Sequence, residues 1–311
     1  MQPDPTREPT AGDEPEVHGG GASYPPPLHG GLPIIDPEEL IEDEDGFDPD
    51  EELDEFDVEE EPRTVLITGA CGEIGRKLRT AWEDVYDLLL LDADPGDDPE
   101  VFRADLSVFD EEWTTHFHGV DTVVHLAGRT DPDGTLAELA EENLDALANV
   151  FNASALAGVE RIVFASSSQV MAGLKGNAAG PITGEAPPSP SGPFGTLKFA
   201  GERFGKSLAH AFDVTFISLR LGAVQPGANR PDTLRDEWEK LSWLSNGDLV
   251  RLFDAAVEAE IEDRLFLVVN GVSRNHGSPW DLTEAAEVLG YLPEDDAFAP
   301  RHQAEALDER H

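Results

Sequence analysis

The sequence predicts an α/β fold built on a doubly wound parallel sheet, and three observations carry that prediction. Short apolar, β-branched runs recur from residue 63 onward with helical patterns between them. Three glycines, Gly69, Gly72 and Gly75, stand where the first run, Val65–Ile67, passes into a helix. An acid, Asp92, ends the second run, Leu88–Leu91, about 20 residues further on. Strands that alternate with helices pair in parallel, and ligands then gather at the carboxyl ends of the strands.

Taken in order, Val101–Ala104 reads as a third strand followed by Asp105 and Leu106. Thr122–Leu126 reads as a fourth, running into Leu126, Ala127 and Gly128. A long helical pattern covers 135–157. Arg161–Ala165 is a fifth strand ending in Ser166, Ser167 and Ser168, and a Gly/Pro-rich loop spans 173–192. A helix over 194–210 leads to a sixth strand, Thr215–Leu221. These elements make a dinucleotide-binding domain of 63–222. Beyond it, 235–244, 248–259 and 280–289 look helical and 264–269 looks extended. Residues 223–294 are too few for a core of their own, so they are expected to cap the sheet as a small substrate lid. Residues 295–311 should be flexible.

The glycine turn explains its own composition. Glycine accepts positive φ and lets a pyrophosphate approach the backbone, while the helix opening at Glu73 and Ile74 offers unpaired N–H groups to that anion. At Asp92 a carboxylate can accept both hydroxyls of the adenosine ribose and repels a 2′-phosphate. The neighbouring Ala-Asp-Pro-Gly supplies no arginine to hold one. The expected cofactor is therefore NAD.

Charge sets further bounds. The 311 residues carry a formal charge of −44, and 1–62 alone holds 22 acidic residues against one basic residue, Arg7. That Pro- and Gly-rich segment cannot bury enough apolar surface to offset its ordering entropy, so 1–62 is expected to be a disordered acidic tail. Its scattered apolar residues leave open a short partner-binding helix. The remainder is also acidic and has only five lysines, a composition suited to high salt, where counterions screen self-repulsion. Nucleic acid and anionic membranes are disfavoured as partners. One cysteine, Cys71, excludes an internal disulfide and fits a reducing cytoplasm. Neither a leader-like segment nor a membrane-spanning run is evident, and the histidines show no metal spacing.

With these motifs in place, the chain from about 63 to 292 resembles the extended short-chain dehydrogenase/reductase family, whose fold is the Rossmann sheet. Gly69-x-x-Gly72-x-x-Gly75 has that family's spacing, Asp92 matches its NAD-selecting acid, and Asp105-Leu106 its adenine-contacting pair. His125-Leu126-Ala127-Gly128 matches the turn after the fourth strand, and Asn143 a helix asparagine. Trp243-Leu-Ser-Asn-Gly-Asp-Leu, Asn270-Gly-Val-Ser and Leu289-Gly-Tyr-Leu-Pro look like the short-lidded branch of uronate dehydrogenases and haloarchaeal NAD-dependent glucose-6-phosphate dehydrogenases. The resemblance implies an NAD-dependent oxidoreductase acting on a sugar, sugar acid or sugar phosphate. It also implies a homodimer formed through two long helices.

By the same resemblance Ser167 holds the substrate hydroxyl, Ser168 and Gln169 contact substrate, and Lys198 binds the nicotinamide ribose. Family members carry Tyr-x-x-x-Lys on the helix after the fifth strand. There the lysine lies over the same helix face and lowers the phenol pKa. Here the motif reads Phe194-Gly-Thr-Leu-Lys198, and phenylalanine has no proton to exchange. The tyrosines at 24, 86 and 291 offer no obvious substitute. An NAD-binding regulator or scaffold that has lost turnover is therefore the alternative to an enzyme. Other residues stay open. Arg220 reads as an ion-pair former or a substrate ligand, and Arg230 and Arg235 as lid charges or contacts for a sugar carboxylate or phosphate. Cys71 reads as a small filler of the turn, and His125 as a support for the turn after the fourth strand.

Overall fold

The computed structural model describes residues 62–299 except 132, 133, 179, 262 and 263. The expectations for residues 1–61 and 300–311 lie outside the described residues. Seven strands, β1 (Thr64–Thr68), β2 (Asp87–Asp92), β3 (Val101–Arg103), β4 (Thr122–His125), β5 (Arg161–Ser167), β6 (Thr215–Leu221) and β7 (Phe266–Gly271), form one sheet in the order β3-β2-β1-β4-β5-β6-β7. Every pairing is parallel. Strand order reverses between β1 and β4, so the crevice at their carboxyl ends is the switch point where such sheets take ligands.

Helices cover both faces. Side chains alternate along a strand, so Val65 and Ile67 of β1 point into one core and Leu66 into the other. The first core takes Leu78 and Trp82 from α1 (Glu73–Trp82) and Leu249, Leu252 and Phe253 from α7 (Asn246–Glu258). The second takes Val150 and Phe151 from α4 (Ala146–Ala157), Leu208 and Ala209 from α5 (Pro193–Phe212), and Trp113 from α2 (Glu111–Thr114). Burial on both faces is why the strands read as continuous apolar runs rather than alternating ones.

The structure revises several sequence expectations. The helix expected over 135–157 is α3 (Leu136–Ala140) and α4, joined by a π-type turn over Glu141–Asp145. Such wide turns re-aim side chains within a helix. Ser168–Leu174 forms a 3₁₀ turn whose last two residues fall in the loop expected over 173–192. Of 235–244, only Glu237–Leu241 (α6) is helical, started by the Asp236 carboxylate accepting from Glu239 N at 3.0 Å. The last helix, α8 (Thr283–Leu289), begins after Trp280, which bridges to Ile182 instead.

Residues 223–294, expected to cap the sheet, supply its seventh strand and α7. Nor is 295–299 loose: Asp295 N donates to Asp248 Oδ2 at 3.0 Å and Ala297 N to Asn275 Oδ1 at 2.9 Å. No helix among the described residues is long and apolar enough to cross a membrane.

Candidate active site at the carboxyl edge of the sheet

The turn between β1 and α1 is built as its glycines require. Gly69 adopts φ +73°, and a Cβ there would lie 2.8 Å from Ala127 N. A Cβ on Gly75 would come within 2.4 Å of Gly69 O, so the first turn of α1 closes directly on the end of β1. The N-cap, Gly72, has no side chain to satisfy the first N–H groups of α1, which leaves them available to an anion. The side chain of Glu73 turns away from the helix opening to which its backbone N–H belongs. Its carboxylate pairs with Lys77 and accepts from Gly227 N at 2.7 Å, and these two bonds, the Lys77 one foremost, hold it below the usual carboxylate range. Ile74 packs against the core.

At the end of β2 the Asp92 carboxylate accepts from Cys71 N at 2.9 Å and from Asp94 N at 3.0 Å. Two backbone donors fix the carboxylate beside the glycine turn, and its oxygens have lone pairs for further donors. Cys71 thus contributes its peptide. Burial, reinforced by Asp92, pushes its thiol pKa up, the opposite of a reactive cysteine. Asp105 accepts from Ser107 N at 3.1 Å, and Asn149 of α4 donates to Leu106 O at 2.9 Å, which fixes the loop after β3 at the same edge.

Past β4, the buried His125 shares a 2.8 Å hydrogen bond with Thr68 Oγ1. Burial, with Lys198 adding to it, pushes the imidazole pKa down to about 3. A neutral ring hydrogen-bonded to Thr68 and stacked on Phe164 serves the turn, as the sequence suggests. Gly128 takes φ +147°, and a Cβ there would meet Asn143 Oδ1 at 2.6 Å. The wide turn after α3 presents Asn143, whose Nδ2 donates to Leu139 O at 2.7 Å and Arg129 O at 3.3 Å.

The catalytic candidates converge on the start of α5. A Cβ on Gly195 would lie 2.4 Å from Gln169 O, so α5 abuts the 3₁₀ turn after β5 at the residue next to Phe194. Ser167 Oγ accepts from Gln169 N at 3.1 Å. Its hydroxyl proton is not engaged by that bond. Ser168 is buried and Gln169 exposed. Lys198 Nζ lies 4.9 Å from the centroid of the Phe164 ring and 5.6 Å from that of Phe194. Among the described residues it has no carboxylate partner, and burial pushes its pKa down to about 8. His125, Asn143 and Lys198 line one cavity of about 10 Å³, room for about one water.

A lysine whose folded pKa is depressed penalises folding while it is charged. The unfolded chain binds the extra proton between about pH 8 and 10.5, so this penalty fades as pH rises through that window. Lys198→Met is expected to raise stability at pH 7 by about 3 kcal/mol and to lose most of that advantage by pH 10. Urea midpoints of both proteins at the two pH values check this.

Arg220 resolves as a structural ion pair. Its Nε and Nη2 donate to the Glu202 carboxylate at 2.9 and 2.8 Å, Ser166 Oγ donates to the same carboxylate at 2.7 Å, and both charged side chains are buried. The sequence reading missed Glu202, although an acid four residues after Lys198 on the sheet-facing side of a helix was a usable signal. Arg235 is paired with Glu239 and 83% exposed, so it is a solvated charge; Arg230 is exposed as well. Tyr86 is packed on Trp82, and Tyr291 donates its hydroxyl to Val272 O at 3.0 Å, so neither reaches the site. Among the described residues no group of three or more His, Cys, Asp or Glu could hold a metal ion.

A parallel doubly wound sheet, a glycine turn at its switch point and an acid one strand away define a dinucleotide-binding protein. Residues 65–237 match the NAD dependent epimerase/dehydratase family, and the chain belongs to that family. It is 29% identical over 265 residues to the NAD-dependent glucose-6-phosphate dehydrogenase of Haloferax volcanii, covering 79% of this chain and 98% of that protein. To the uronate dehydrogenase of Pseudomonas putida it is 30% identical over 256 residues, 78% of this chain and 88% of that one. A solved uronate dehydrogenase from Agrobacterium tumefaciens, a variant complexed with NAD, superposes with a TM-score of 0.63 at 26% identity, covering 80% of this chain and 90% of that chain.

Proposed function

We propose that the chain is an NAD-dependent oxidoreductase of the extended short-chain type, acting on a sugar, sugar acid or sugar phosphate. The observation that carries this reading is the buried Lys198, with no carboxylate partner among the described residues, at the same sheet edge as the glycine turn and the oriented Asp92. Backbone N–H groups at Gly72, Glu73 and Ile74 hold a diphosphate, Asp92 takes the adenosine ribose, and Asp105 and Leu106 border the adenine. Leu126, Ala127 and Gly128 form the floor of the groove, while Asn143 and Lys198 serve the nicotinamide ribose. NAD bound there supplies a hydride acceptor for a carbon of the sugar. Ser167 orients the sugar hydroxyl, with Ser168 and Gln169 flanking it.

Calorimetric titration tests the cofactor assignment: NAD is expected to bind at least about tenfold more tightly than NADP, because Asp92 repels a 2′-phosphate. Tighter binding of NADP overturns it. The acidic surface and Haloferax relatives favour work in a salt-rich cytoplasm, where the melting temperature rises as KCl is added; a fall removes the salt adaptation. Exposed Leu156 of α4 and Phe204 and Phe212 of α5 favour docking of a second copy on these helices. Sedimentation at a dimer mass is the expected result, and a monomer mass rejects it.

Phe194 favours a second reading, an NAD-binding regulator that no longer turns over. The two readings agree on the cofactor and differ only in the proton transfer.

A further inference from the structure

The loop after β6 ends on the residue that opens α1. In the sheet β6 is separated from β1 by β4 and β5, three spacings of about 4.8 Å and so about 14 Å. The loop nevertheless crosses the carboxyl edge, because Gly227 N donates to Glu73 Oε1 at 2.7 Å. The same residue is held through its carbonyl by Asn246 Nδ2, which donates to Gly227 O at 3.0 Å. Behind this tip the loop is stiff. Asn229, 2% exposed, accepts from Gln225 N at 2.9 Å and from Trp243 Nε1 at 3.0 Å, and donates to Leu244 O at 2.6 Å. Lys77, 12% exposed, pairs with Glu73 and balances its charge where a diphosphate is to be held.

We propose that Glu73 is a positioning residue that pins the loop after β6 across the carboxyl edge of the sheet, and so sets how fast a dinucleotide enters and leaves the groove. The inference rests on the cofactor site proposed above, since the groove from Asp92 past the glycine turn to Lys198 runs along the edge this strap crosses. A carboxylate suits the task because a charge-assisted acceptor holds a backbone N–H more tightly than a neutral one. Its placement on α1 ties the strap to the turn that carries the diphosphate. Opening the strap frees the groove without disturbing Asn229.

The test uses the full chain with Glu73→Ala and Glu73→Gln. In the dinucleotide-free proteins, hydrogen exchange of the peptide containing Gly227 is expected to quicken about tenfold in Glu73→Ala. Glu73→Gln, whose amide oxygen still accepts, stays within about threefold of wild type. Stopped-flow measurements with NAD are expected to show both association and dissociation accelerated about tenfold in Glu73→Ala. The dissociation constant changes less than either rate, a signature that a mere packing defect does not give. Unchanged exchange at Gly227 overturns the pin. Unchanged NAD rates with faster exchange overturn its kinetic role. Failure of wild type to bind either nicotinamide dinucleotide overturns that role together with the proposed function, while the exchange result still judges the pin.

Discussion

Phe194→Tyr turns over its sugar at least about 10²-fold faster than the natural chain, the low end of what a positioned general base contributes. The expectation follows from what already surrounds residue 194. It stands one turn before Lys198 on α5, and the lysine ammonium lies 5.6 Å from its ring. With its pKa pushed down to about 8, Lys198 is charged at neutral pH and would lower the pKa of a phenol placed beside it. Ser167 stands at the end of β5, across the contact that Gly195 makes with Gln169. A hydroxyl on the ring would therefore add the proton acceptor that the proposed set of Ser167 and Lys198 lacks. The assay follows NAD reduction by both proteins against aldoses, uronates and hexose phosphates in high KCl. Activity confined to the variant selects the regulator. Equal turnover by both means that another group takes the proton, and the phenylalanine then carries no mechanistic weight.

Glu202→Leu is expected to cost about 3–5 kcal/mol of stability, because it strands the Arg220 charge in the interior. In the folded protein Arg220 donates twice to Glu202, once to Gly184 O at 3.2 Å and once to Met171 Sδ at 3.4 Å. Without the carboxylate only two uncharged acceptors remain. Ser166 loses its partner as well. The double variant Glu202→Leu/Arg220→Met should recover most of the loss, since well-packed apolar replacements of a buried pair are often neutral. Urea midpoints at one KCl concentration read both. A single variant as stable as wild type, or a double variant no better than the single, shows that the pair does not brace α5 against β6 in this way.

The residues that make local structure were legible in the sequence. A glycine turn between an apolar run and a helix start can be read locally, and so can Asp92, which closes the next run. Their positions in space follow from chain order, because parallel strands with crossover helices leave few topologies open. What was not legible depends on distant partners. Glu73 reads only through its backbone N–H at the helix opening, and the partner of its carboxylate, Gly227, 154 residues away, has no local signal. Arg220 reads two ways until Glu202 is seen to face it. The wide turn that aims Asn143 is invisible in the periodic 135–157 pattern, since its π-type geometry leaves the apolar spacing readable as helix. In the lid the extended run at 264–269 was legible but its place in the sheet was not, because β7 pairs with β6 through residues 50 positions apart.

The deep seating of Lys198 under Phe164 and Phe194 has a consequence for how ligands arrive. Its charge is felt by an anion that has already docked and hardly at all by one still diffusing. Far from the groove, an incoming dinucleotide meets a protein whose net charge is of its own sign. Ions in the surrounding water weaken that repulsion. Encounter should therefore speed up as KCl rises, the reverse of ordinary attraction between opposite charges, and association rates measured against KCl would reveal it.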